Sequence, residues 1–87
     1  MIFVNLGKMR DKPDKEMVGD ATKLIEDFRK RGIKVLSWYW TLGRFDTVFI
    51  FEAPSEKEAM KLATEISRFV STETLVAIPR QEAVNLL

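Results

Sequence analysis

Neither histidine nor cysteine occurs in this 87-residue chain. The commonest general base, the thiolate nucleophile and the usual zinc and haem ligands are therefore missing. What remains near strand-like segments is a short set of polar side chains: Asn5, Tyr39, Thr41 and Asp46. Tyr39 could orient a substrate or act as an acid, or pack its ring and satisfy its hydroxyl locally. Thr41 and Asp46 flank a turn, where they could anchor a small ligand. Equally, Asp46 could bond turn backbone or pair with Arg44. Asn5 could meet a substrate or bond backbone. Trp38 and Trp40, with Phe3 and Phe49, could wall an aromatic pocket, or could belong to a core or a subunit interface. No Asp/Gly loop of the EF-hand kind is present and the glycines form no phosphate loop, so no metal and no cofactor is expected.

These residues gather on one stretch, Ile33 to Ala53. Aromatic and β-branched residues fill Val35 to Thr41 and Thr47 to Phe51, which favours two strands. Gly43-Arg44 suits a two-residue type II′ turn, with glycine where φ is positive. That turn sets Leu42 opposite Phe45, Trp40 opposite Thr47, Trp38 opposite Phe49 and Leu36 opposite Phe51, all on one face. The other face carries Val35, Ser37, Tyr39 and Thr41 against Glu52, Ile50, Val48 and Asp46. Both faces are largely apolar, whereas an antiparallel sheet with one wet face alternates apolar and polar residues. Something must cover each side.

The flanking segments supply the cover for one side. Ile2 to Leu6 reads as a first strand. Met17 to Arg31 carries an apolar stripe at helical spacing (Met17, Val18, Ala21, Leu24, Ile25, Phe28), with Asp11 or Asp14 as its cap and Gly32 at its end. Ser55-Glu56-Lys57-Glu58 reads as a capping box before a helix from Glu56 to Phe69. Glu73 to Ile78 reads as a fourth strand ended by Pro79. Residues 1–80 thus form one domain, and 81–87 a tail able to make a helical turn. The order is β-α-β-β-α-β, the ferredoxin-like α+β arrangement: a four-stranded antiparallel sheet, order 4-1-3-2, with two helices on one face. Size matching pairs the helices with the face bearing Ile2, Val4, Leu6, Val48 and Ile50. The face bearing Phe3, Leu36, Trp38, Trp40, Phe49 and Phe51 is then left open as a dimer interface.

Fourteen basic and 13 acidic residues balance to a net charge of +1, which argues against a nucleic-acid or membrane-surface binder. The cluster Arg29-Lys30-Arg31-Lys34 reads as a solvated helix end. No apolar run reaches the ~20 residues needed to span a bilayer, and no signal-peptide layout is present, so a cytoplasmic location is expected. A chain this short, with no disulfide, gains most from oligomerisation.

The segment Tyr39 to Asp46, with Thr47 to Pro54 after it, resembles the core of the GYD domain family, named for a Gly-Tyr-Asp signature. Here Gly43, Phe45 and Asp46 stand in that signature, with Arg44 between and phenylalanine replacing tyrosine. The resemblance implies a ferredoxin-like fold of the dimeric α+β barrel kind, with two sheets stacked and helices outside. It implies no particular activity, and the phenylalanine lacks any chemistry of a phenol. The expected function is a small-molecule binding or regulatory module acting as a homo-oligomer. The alternatives are a cofactor-independent enzyme of the oxygenase or isomerase type, using Tyr39, Asn5 or Asp46, and a purely structural oligomerisation domain.

Overall fold

A computed structural model describes all residues, 1–87. The elements are β1 (Ile2–Met9), α1 (Lys15–Arg29), β2 (Lys34–Trp40), β3 (Thr47–Glu52), α2 (Glu56–Ile66), β4 (Val70–Ala77) and a short α3 (Arg80–Val84). The four strands form one antiparallel sheet in the order β2-β3-β1-β4. This is the expected ferredoxin-like topology.

Local chemistry sets the ends. Asp14, not Asp11, caps α1: its Oδ1 accepts from the Met17 N–H at 2.8 Å. α1 stops at Arg29, and Gly32, at φ 98°, turns the chain toward β2. Ser55 caps α2 by accepting from the Glu58 N–H at 3.3 Å. The reciprocal half of the expected capping box is not made, because the Glu58 carboxylate pairs with Lys61 at 3.0 Å. β1 runs past Leu6 to Met9 and β4 begins at Val70 instead of Glu73, two differences with one cause. Lys8 pairs with Ser71 and Met9 with Val70, so each strand lengthens by lying on the other. α2 ends at Ile66, short of Phe69, where the Arg10 Nε donates to the Ser67 carbonyl at 2.7 Å.

The hairpin corrects two expectations. Trp38 does face Phe49, and Trp40 faces Thr47. Leu36, however, is the extra residue of a β-bulge, and Val35 takes its place opposite Phe51. Such a bulge reverses the side on which the preceding residues fall, and Val35 packs against the core. The turn is also wider than a two-residue type II′ loop. It closes through the Thr41 N–H to the Asp46 carbonyl at 2.7 Å, and Leu42 is fully exposed. Gly43, at φ 116°, supplies the positive φ within this loop.

The face assignment is reversed. Phe3, Phe49 and Phe51 lie beneath the helices, each no more than 3% exposed, with Ile25, Phe28, Leu62 and Ile66 above them. Three rings need the depth that two helices provide, and the aliphatic set on β1 does not fill it. Phe3 stacks on Phe51 and Phe51 on Phe49, with ring centres 5.4 and 5.1 Å apart. The face without helices is the aliphatic one: Ile2, Val4 and Leu6 on β1, Val48 and Ile50 on β3, Leu75 on β4 and Tyr39 on β2. All are half-buried or exposed. The reasoning that one apolar face lies bare holds, but with a different set of side chains.

Candidate functional site

Along the helix-facing side of the sheet the side chains shrink in one direction. β1 presents Phe3, then Asn5, then Gly7; β3 presents Phe51, Phe49, then Thr47. The helix above changes in parallel. The C-terminal half of α1 buries Ile25 and Phe28, whereas Met17, Val18 and Ala21 in its first turns remain partly exposed. Between them lies a cleft of about 60 Å³. Met17, Val18, Ala21 and Thr22 form its roof; Asn5, Thr47 and Phe49 form its floor. Trp38 and Trp40, 37% and 61% exposed, stand at its mouth. Trp38 packs on Phe49 with ring centres 5.1 Å apart, so an aromatic ladder runs from the core to the cleft.

Two polar side chains occupy this apolar floor. Asn5 is 2% exposed and donates from Nδ2 to Thr74 Oγ1 at 2.8 Å. Its Oδ1 receives no protein hydrogen bond, and neither does Thr47 Oγ1. No fully buried side-chain polar atom in the molecule lacks a partner, so both atoms keep some solvent access, and both residues line the cleft. Such groups are costly to bury unless something bonds them. Gly7 makes the arrangement possible: a Cβ there would lie 2.5 Å from Thr47 Oγ1. No ionisable side chain lines the cleft.

The structure thus brings together Asn5, Trp38, Trp40 and Phe49 from the sequence candidates. It does not bring Tyr39, Thr41 or Asp46 to them. Tyr39 lies on the helix-free face, 60% exposed. Thr41 donates its hydroxyl to the Phe45 carbonyl at 2.7 Å. Asp46 accepts from the Met9 N–H at 2.8 Å through Oδ2, and its own N–H donates to the Gly7 carbonyl at 2.7 Å. These bonds clamp the hairpin loop to β1 through β1 backbone groups and do not involve Arg44. Leu36 sits on the bulge, 41% exposed. Thr47, Met17 and Thr22 escaped the sequence reading. The signal for Thr47 was its place opposite Trp40, where a small polar residue interrupts an aromatic row.

The GYD domain family matches residues 8–87. The chain belongs to the GYD domain family. Gly43, Phe45 and Asp46 lie in the loop just described, and Asp46 ties that loop to β1. Among solved structures, this GYD domain is similar to Bacillus subtilis LrpC at TM-score 0.65 and 10% identity, over 90% of this chain and 50% of that one. It is similar to the 5-chloro-2-hydroxyhydroquinone dehydrochlorinase TftG of Burkholderia phenoliruptrix, in complex with 2,5-dihydroxybenzoquinone, at TM-score 0.65 and 15% identity, over 90% and 94%. A third likeness is to TTHA0845 of Thermus thermophilus, at TM-score 0.56 and 22% identity, over 90% and 92%. The chain spans half of LrpC and nearly all of the other two. At these identities the shared property is the ferredoxin-like fold. No curated protein matches the chain. No helix is long and apolar enough to cross a membrane.

Proposed function

We propose that this GYD domain is a small-molecule binding module, with its site in the cleft between α1 and the sheet, and that it works as a homodimer. The observation that carries the first part is the pair of open polar atoms, Asn5 Oδ1 and Thr47 Oγ1, on the floor of an apolar cleft with a tryptophan mouth. A few placed polar groups in an apolar hollow are what a ligand site needs for orientation. The absence of any ionisable side chain from the lining favours binding over acid–base chemistry. The two tryptophans are the only ones in the chain, and both stand at this cleft. Their indole N–H resonances therefore report on it directly. A mixture of small neutral, acidic and basic fragments added to the protein should shift both resonances and leave Tyr39 unmoved. Fragments that shift only Tyr39, or nothing at all, would contradict the site.

The dimer rests on the helix-free face. The molecule measures 45 × 31 × 17 Å, a sheet and one helix layer thick. Its broad side is large enough for the ~800 Å² per partner of an ordinary stable interface. Val4, Leu6, Val48, Ile50 and Leu75 are the apolar residues a second copy would cover. A second sheet stacked there, ~10 Å away, supplies the matching aliphatic surface. Native mass spectrometry should give twice the chain mass, and Leu75→Glu should return the chain to monomer. A monomeric wild-type chain at tens of micromolar would overturn the dimer without touching the cleft.

A further inference from the structure

Granted that the cleft binds a small molecule, we infer that its ligand is a neutral single-ring aromatic compound bearing a hydroxyl group, of the phenol class. Size comes first. The enclosed space is about 60 Å³, under half of the ~150 Å³ apolar cavity that seats a benzene ring. One ring can enter partway, with its outer edge against the exposed tryptophan faces at the mouth. Met9 and Met17 line the same space, and their unbranched thioethers can adjust to a ring edge.

Shape follows from Phe49, Trp38 and Trp40, which offer π-faces and edges to a flat partner. Polarity follows from the floor. Asn5 Oδ1 accepts and Thr47 Oγ1 both donates and accepts, so a hydroxyl has a partner at either atom. An apolar ring without that group leaves both atoms unpaired and displaces any water they hold. Charge is excluded by the lining, which holds no cation or anion to pair with a buried ionic ligand. The first turn of α1 does not supply an anion site either. The Met17 N–H is already taken by the Asp14 carboxylate, which offsets the positive end of the helix.

The test uses phenol, toluene, benzoate and benzylamine, each titrated into isotope-labelled full-length protein while the two indole N–H resonances are followed. Phenol should shift both saturably. Toluene should bind about tenfold more weakly, the loss expected for one hydrogen-bonded group, and the two ions more weakly still. Asn5→Leu should bring phenol down to the level of toluene. Thr47→Val is the companion variant, with a smaller loss, if Asn5→Leu does not fold. Toluene binding as well as phenol, or either ion binding better, overturns the phenol class while leaving the cleft a binding site. If none of the four moves the indoles, the class is overturned as well, and the fragment mixture then decides the cleft separately.

Discussion

At one end of the helix-facing sheet surface stand Phe3 and Phe51, side by side on β1 and β3. Two pairs along the same two strands stand Gly7 and Thr47. Helix α1 serves both ends, and α2 joins it over Phe3. Over the first end α1 places Phe28 and Ile25, which are sealed to 1% exposure or less. Over the second it places Met17 and Val18, which remain partly open. Nothing in topology distinguishes the two ends. The difference lies in side-chain volume and in two polar atoms left without protein partners. One end is packed; the other leaves room and hydrogen-bonding capacity that the protein itself does not use.

Substitutions at the two ends should therefore behave differently. The largest effect belongs to the packed end. Phe51→Ala removes a fully buried ring and should cost about 3–5 kcal/mol, read as a fall in the urea midpoint. Gly7→Ala should cost about 1–3 kcal/mol, because the new methyl collides with the Thr47 hydroxyl. It should also close the cleft floor and weaken any ligand that shifts the indoles. Asp46→Ala should cost about 1–2 kcal/mol by freeing the Met9 N–H, with β1–β3 amides near the loop exchanging faster. Trp40→Ala is the smallest in stability, within about 0.5 kcal/mol, because the side chain is mostly exposed. Its effect should appear in ligand binding alone. Equal costs for Phe51→Ala and Trp40→Ala would erase the distinction between the ends.

Much of this architecture is legible in the residues. Element order follows from alternation and helical spacing, which are local, and the pairing of Trp38 with Phe49 survives although the turn is wider than expected. Ser55 as a cap and Gly32 as a helix stop are local too. The errors are non-local. Leu36 looks like a regular strand residue, and only pairing with β3 reveals the bulge. Leu6 looks like a strand end because Lys8 is polar, yet β4 lies alongside and extends the strand. The face reversal has the same origin: both rows of the sheet are apolar, so polarity cannot choose between them. Depth chooses, since three phenylalanine rings fit only under two helices. The site was half legible. The aromatic row and Asn5 were visible as candidates, but Asp46 and Thr41 attract notice as polar turn residues while serving to hold the loop on β1. Thr47 stands out as a site residue only in the fold, where it pairs with Gly7 and lines the same cleft as Asn5.

The central claim is that Asn5 and Thr47 are kept polar for a ligand and not for the fold. Equilibrium urea unfolding of Asn5→Leu/Thr47→Val against wild type tests it most directly. If the claim holds, the apolar pair stays within about 1 kcal/mol of wild type, because removing two unpaired polar atoms and filling the cleft offsets the lost Asn5–Thr74 hydrogen bond. The same variant no longer binds phenol. A loss of about 2 kcal/mol or more, comparable to a core lesion, would contradict the claim and make the two residues part of the scaffold.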